Sequence, residues 1–298
     1  MIFRKYLNKD TTQIINLLNN CFPARNISAQ SFVWKHFDKF FNGQTESYVA
    51  EENDNIRAFV CFVPIYIGYQ ENILNYYSCA VQATHPEYRR QGLITTLTQM
   101  VEKKMDKQSN YIGFSNYEGV KIDKHSKKIN YDIIGQMSTR HVLSFPYKTD
   151  IKFIKIQKLD LETKNHPYYS IHKNKDYFVW RYEKNPKCKY EYFEIKEKKQ
   201  TIGYIIYKKK KTRFEVQELM LIESDFAKYN KIIKAFSRYA LLNGKITTSY
   251  TYLDNNFWKN AFSGISFKKN IEIYLTIKSK DNNIKNLEKW LLQRGDIQ

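Results

Sequence analysis

Four cysteines, Cys21, Cys61, Cys79 and Cys188, are scattered through 298 residues without a C-x-x-C pair. Such spacing lacks the pattern of a structural zinc site or a disulfide framework and reads as reduced thiols, so no metal is expected. No apolar run reaches the ~18 residues that a spanning helix needs, and no charged-then-apolar leader opens the chain. A soluble, cytoplasmic protein is the expectation. Zinc-finger spacing, a helix-turn-helix signature and RNP-like aromatic motifs are also missing, and nucleic acid is therefore not expected as a partner despite the basic charge.

What is present is aromatic and basic. Aromatic residues make up 16% of the chain, with 24 tyrosines and 19 phenylalanines, and apolar residues make up 42%. That composition suits sheet-rich globular packing, and the length allows two domains. The formal charge is +19, unevenly spread: the first 149 residues hold 18 basic against 13 acidic groups, which leaves 31 against 17, or +14, for the rest. An anionic partner suits this balance, whether a membrane surface, a nucleic acid or a phosphate-bearing small molecule.

The chain repeats itself. "FVWKHFDKFFNGQTESYVAEENDNIRAFVCFVPIYI" from Phe32 and "FVWRYEKNPKCKYEYFEIKEKKQTIGYIIYKKK" from Phe178 share an opening FVW plus a basic residue. Each continues into an alternating strand, a polar turn and a second strand with a small residue near its start, Ala58 or Gly203. Further on, "ILNYYSCAVQAT" answers "RFEVQELMLIES" as a long strand, each followed by a helical stretch, another strand, a short helix and a last strand. Repeated order points to two copies of one α/β plan. The division falls near 144–150, where Pro146 breaks the last strand of the first copy, giving units 1–147 and 148–298.

In the first copy the long strand ends at His85–Pro86, and "EYRRQGLIT" turns into a helix with Leu93, Leu97, Val101 and Met105 on one face. A helix start offers unpaired amides that bind an anion when the backbone can approach. Gly92 carries no side chain to block that approach, and Arg89 and Arg90 add charge complementary to phosphate. The second copy has "SDFAKYNKII" there, without glycine or arginine pair, so one intact and one degenerate site are expected.

"VQATHPEYRRQGLITTL" resembles motif A of the GCN5-related N-acetyltransferase (GNAT) superfamily, a strand, a proline and then [RQ]-x-x-G-x-[GA], with Ile94 replacing the usual small residue. The resemblance covers the first copy, and a fold-level likeness extends to the second. It implies two tandem GNAT-like units of α/β class, each a mixed, mostly antiparallel sheet flanked by helices. It implies acyl-CoA as co-substrate, acetyl or short hydroxyacyl, with pantetheine on the backbones of Gln82, Ala83 and Thr84. Pyrophosphate would lie against Arg89, Arg90, Gln91, Gly92, Leu93, Ile94 and Thr95. Asn116 matches an asparagine that the family places against pantetheine, although an Asx turn closing the strand explains it equally. The family's usual tyrosine acid has no counterpart in "NYEGVKIDKHSKKINY", which leaves His125 as the nearest group exchanging protons at neutral pH, ahead of Tyr117 and Glu118. His85 reads as a strand-end cap.

Trp34 and Trp180, with Lys35 and Arg181 beside them, are candidates for holding a substrate, or else packing residues of the repeat. Paired units with Phe-x-Trp-[Arg/Lys] in the second half look like acyltransferases of bacterial surface-polysaccharide pathways. That likeness implies N-acylation of a dTDP-linked amino sugar, such as a 3-amino-3,6-dideoxyhexose, with the basic second unit facing the anionic acceptor. Two alternatives remain at this point: an aminoacyl-tRNA-dependent transferase of the Fem type, which uses no coenzyme A, and a non-catalytic acyl-CoA or nucleic-acid binding module.

Overall fold

The computed structural model describes residues 1–38, 40, 44–105, 110–116, 119, 131–159, 167–223 and 225–296. Thirteen strands form one mixed sheet. In the first half these are β1 (Ile2–Lys5), β2 (Glu46–Glu52), β3 (Asn55–Tyr69), β4 (Asn72–Thr84), β5 (Asn110–Asn116) and β6 (Asp132–Leu143). The second half supplies β7 (Lys152–Ile156), β8 (Ser170–Ile171), β9 (Glu191–Glu197), β10 (Gln200–Lys209), β11 (Arg213–Leu221), β12 (Thr247–Leu253) and β13 (Ser266–Lys278). The helices are α1 (Thr11–Cys21), α2 (Ala29–Phe37), α3 (Leu93–Lys104), α4 (Lys175–Phe178, continued by a π turn over Val179–Glu183), α5 (Phe226–Leu242) and α6 (Asn256–Ala261).

The strand order is β1-β2-β3-β4-β5-β13-β6-β12-β11-β10-β9-β7, with β8 added on β3. This order is a palindrome: β1 answers β7, β2 answers β9, β3 answers β10, β4 answers β11, β5 answers β12, and β13 answers β6. A pseudo-twofold axis therefore passes between β13 and β6, and the two halves exchange their last strands. β6 pairs with β12, and β13 pairs with β5. A cut at 147/148 divides the sequence, but in space the strand preceding it lies within the sheet of the second unit. Joining the two sheets through β13 and β6 leaves neither last strand as an open edge.

The repeat holds in detail. In β3 a bulge precedes Ala58, and in β10 a bulge precedes Gly203. A Cβ on Gly203 would stand 2.3 Å from the Met220 carbonyl, so the glycine is required there by close approach of the neighbouring strand.

The apolar face expected of α3 is buried: Leu93, Leu97 and Val101, with Met105 just beyond, pack on Tyr48, Ala58, Val60 and Phe62. α1 and α2 lie on the opposite face over Phe59, Cys61 and Ile112. That second cluster runs on into Trp180, Tyr182 and Trp290, so it is one core shared by both units. α5 and α6 cover the far unit through Phe236, Tyr229 and Trp258.

Candidate active site

Two parallel strands part to make the cleft. β4 and β5 pair only over Tyr76–Asn110, Tyr77–Tyr111 and Ser78–Ile112, yet β4 continues to Thr84 and β5 to Asn116. At the apex β4 has a bulge: Cys61 faces Val81 and Phe62 faces Cys79, leaving Ala80 without a partner on β3. Bulges raise local twist, which turns β4 away from β5.

Alternation decides which main-chain groups line the opening. The His85 amide donates to the Arg57 carbonyl at 2.8 Å. Hydrogen-bonded and non-bonded pairs alternate along an antiparallel ladder, so Ala83 is bonded to β3 whereas Gln82 and Thr84 turn their N–H and C=O toward the cleft. By the same alternation the main-chain groups of Ala83 face Phe59 of β3 and not the cleft. The Thr84 carbonyl also accepts from Cys21 Sγ at 3.3 Å, which ties α1 to the mouth of the cleft.

At that mouth stands the start of α3. Gly92 is its N-cap, at φ 75°, ψ 9°, a left-handed conformation that glycine adopts without strain. Among the described residues a Cβ at Gly92 would meet nothing within 4 Å, so the space beside the helix start is open with respect to them. The first amide with an intrahelical acceptor is that of Thr96, bonded to the Gly92 carbonyl at 3.0 Å. The amides before it, including those of Leu93, Ile94 and Thr95, head the helix without carbonyls a turn earlier. Arg90 is also left-handed, at φ 65°, a conformation that costs a non-glycine residue about 1–2 kcal/mol. Arg89, Arg90 and Gln91 are exposed. The turn is held from behind by Tyr88, whose hydroxyl donates to Glu52 at 2.7 Å and whose ring lies under the Arg57 guanidinium at 4.7 Å.

The matching cleft of the second unit is closed. β11 and β12 pair from Arg213–Thr247 to Val216–Tyr250 and then separate, with the bulge again at the apex, here at Gln217. Leu219, two residues beyond that bulge as Gln82 is beyond its own, is bonded by the side chain of Gln293: Leu219 N–H donates to Oε1 at 2.7 Å and Nε2 donates to the Leu219 carbonyl at 3.0 Å. The Leu253 amide donates to the Leu292 carbonyl at 3.1 Å, and Tyr252 bridges Gln293. Residues 290–296 therefore lie between the parted strands.

Buried charge pins this segment. Lys173, 5% exposed, contacts Glu218 and Asp296 at 2.7 Å each. Although burial by itself would lower its ammonium, Asp296 and Glu218 hold it well above the ordinary lysine range. Burial raises the Glu218 carboxyl, and Tyr182 donates to it at 2.6 Å. A Cβ on Gly295 would fall 2.0 Å from Glu218 Oε1 and 2.1 Å from the Tyr182 hydroxyl, so only glycine fits. The start of α5 is closed too: the N-cap is Asp225, whose carboxylate accepts from the Ala227 amide at 2.9 Å. A carboxylate already bonded to these amides would repel a phosphate.

Between the units, the two FVW copies meet on the pseudo-twofold axis. Trp34 Nε1 donates to the Trp180 carbonyl at 2.8 Å, Trp180 Nε1 donates to the Trp34 carbonyl at 2.9 Å, and the rings stack at 5.6 Å. Both indole N–H groups are thus committed to this clasp, which is the packing role that the sequence left open beside a substrate contact. Lys35 keeps partial solvent contact, but its ammonium is pulled down to about 8 by burial, then by Arg25 and Arg181. Burial likewise holds His36 down to about 3, a neutral ring whose Nδ1 faces the Phe32 carbonyl. Arg181 lies in the second cleft, its Nε donating to the Gly295 carbonyl at 3.2 Å.

A cavity of about 620 Å³ opens at the junction of the units, lined by Asp38, Phe40, Tyr66 and Asn75 on one side and by His172 and Trp180 on the other. It lies toward the beginning of β4, beyond the apex from the α3 start. Several lysines of the second half sit elsewhere: Lys155 of β7 and Lys209 of β10 pair with Glu191 of β9, and Lys231 of α5 pairs with Asp150 and Glu197.

Asn116 accepts from the Gly119 amide at 2.8 Å, the Asx turn that its position allowed. His125, Tyr117 and Glu118 lie outside the described residues. The occupant of the second cleft is what sequence reasoning missed. A signal was present in Trp290–Leu291–Leu292, an apolar trio after the polar stretch "SKDNNIKNLEK", since such a cluster near a chain end must be covered by something.

Residues 3–115 match the acetyltransferase (GNAT) domain family. No curated protein sequence matches the chain. Among solved structures, a conserved protein of unknown function from Enterococcus faecalis, described as a probable N-acyltransferase, superposes with TM-score 0.70 at 11% identity, covering 97% of this chain and 73% of its own. A GCN5-related N-acetyltransferase from Anabaena variabilis gives 0.67 at 12%, over 96% and 73%. A fungal multi-domain β-N-acetylglucosaminidase, with a GCN5-related glucosamine N-acetyltransferase region, gives 0.59 at 10%, over 93% and 38%. At such identities the likeness establishes the fold, and it does so across both units.

Proposed function

We propose that this chain, an acyl-CoA-dependent N-acyltransferase whose residues 3–115 form a GNAT domain, acylates the amino group of a dTDP-linked amino sugar such as a 3-amino-3,6-dideoxyhexose. One observation carries the placement of the chemistry: of two clefts on one plan, the first has a glycine-capped helix start and an unoccupied strand edge at Gln82 among the described residues, while the second is filled by residues 290–296.

Acyl-CoA would lie along the first cleft, its pyrophosphate at the amides of residues 92–95 and its amides on Gln82 and Thr84. The neutral amine attacks the thioester carbonyl, and the Gln82 N–H donates to the oxygen on which charge develops. Leu219 N–H holds the Gln293 carbonyl oxygen at 2.7 Å in the equivalent place, which supports that assignment. Collapse expels the thiolate, a good leaving group that takes up the equivalent of the proton shed by the attacking nitrogen, so holding amine and carbonyl together supplies much of the rate. The acceptor would enter through the inter-unit cavity, whose volume suits a nucleotide sugar. Its mixed lining fits a polar ligand, and the glucosamine-acetylating region of the fungal neighbour is a further point in favour of an amino sugar. The test is turnover of dTDP-amino sugars with short acyl-CoAs. Product carrying a new amide supports the reading, and no product with any of them removes it.

A further inference from the structure

We propose that Lys35 is a cation of the first cleft that donates a hydrogen bond to an oxygen of the acyl acceptor, beside the reacting carbonyl. The inference rests on the reading of that cleft as the acylation site, and it follows from the pseudo-twofold axis.

The axis carries Arg181 onto Lys35, since FVWR and FVWK stand in matching helical segments clasped through Trp180 and Trp34. In the closed cleft Arg181 Nε donates to the Gly295 carbonyl at 3.2 Å. Gly295 lies two residues beyond Gln293, the residue that takes a ligand's place on Leu219. The axis carries Leu219 onto Gln82, because each stands two residues past the bulge of its strand. By this correspondence Lys35 holds the place, relative to Gln82, that Arg181 holds beside the occupant of Leu219. Its surroundings agree, for it lies within electrostatic reach of Cys61 and Cys79, the residues flanking the bulge at the apex.

The other groups that grip residues 290–296 have not been kept. Tyr177 donates to the Gly295 carbonyl at 3.0 Å, and its counterpart is Ser31. Tyr182, Glu218 and Lys173 correspond to His36, Val81 and Ile27. The first cleft has lost the internal occupant's partners and retained a cation. Among the described residues no carboxylate pairs with Lys35, and the nearest charges, Arg25 and Arg181, share its sign. A desolvated ammonium without a counter-group is costly, and an acceptor oxygen would supply one.

Donation needs the protonated amine, so the contact is lost as pH rises through about 8, where burial first and the two arginines second place this group. Lys35→Met should raise KM for a dTDP-amino sugar about ten- to a hundredfold, the worth of one charged hydrogen bond, and leave the acetyl-CoA Kd unchanged. Lys35→Arg should restore most of the loss and remove the alkaline fall in kcat/KM, because arginine does not titrate there.

A second arm does not depend on the acceptor. Bromoacetyl-CoA bound to the full chain at pH 8.5 should alkylate Lys35, a C–N bond forming as bromide leaves and the proton passes to buffer. Peptide mass spectrometry reads the adduct, and excess acetyl-CoA should suppress it. Bound bromoacetyl-CoA with Lys35 unlabelled, or an unchanged acceptor KM in Lys35→Met, overturns the proposal. Failure of any acyl-CoA to bind would instead remove the reading of the cleft on which it rests.

Discussion

The two clefts share a bulge, a pair of parting strands and a helix start, and they differ in what each is given to hold. In the first, among the described residues, Gly92 leaves the helix start open and Gln82 presents an unused strand edge. In the second, Asp225 caps the helix with its own carboxylate, and Gln293 bonds the strand edge through both ends of its carboxamide. One topology therefore leads to two outcomes, a strand edge bonded by the chain itself and one left open among the described residues, and a few side chains decide between them.

The largest expected effect breaks the closed cleft. Lys173→Met would leave Glu218 and Asp296 buried without a counter-charge, and removal of one partner from a buried pair costs about 3–5 kcal/mol. Urea unfolding of the full chain should show that loss, while a change below about 1 kcal/mol would mean that the ion cluster is not what holds residues 290–296.

Next comes the open cleft. Gly92→Val places a β-branched side chain at φ 75° and fills the approach to the helix start. The acetyl-CoA Kd should rise about ten- to a hundredfold because the side chain occupies the approach to the amides, whereas the backbone cost of about 1–2 kcal/mol falls on stability. Calorimetry decides it, and unchanged affinity would place the pyrophosphate elsewhere.

A smaller effect sharpens the comparison. Gln293→Ala removes the two bonds to Leu219 and should lower stability by about 1–2 kcal/mol in the same urea experiment, with acetyl-CoA affinity at the first cleft unaltered. The smallest is Asp225→Gly, which gives the second helix start the residue of the first and costs only a few tenths of a kcal/mol. No second acetyl-CoA should bind, because residues 290–296 still fill the slot. A second binding event in that variant would show that the helix cap alone closes the site.

What was legible in the sequence was local or repeated. The face of α3 follows from Leu93, Leu97 and Val101 at helical spacing, the helix start from Gly92, and the duplication from two copies of FVW with strands in the same order. The long-range features were not legible. Exchange of β6 and β13 depends on pairing between residues more than a hundred positions apart, which leaves no mark on periodicity. The Trp34–Trp180 clasp arises from the symmetry of two separate segments, so each tryptophan alone looked as much like a ligand contact as like packing. Charge was legible in amount but not in place, since lysines paired at the sheet's end and Lys35, without a carboxylate partner among the described residues, count equally in a sum.

Calorimetric titration of acetyl-CoA into the full chain distinguishes an open cleft from one that the chain fills itself. One site per chain is expected if only the first of the two clefts takes acyl-CoA, and two sites, or none, would mean that the clefts do not differ in this way.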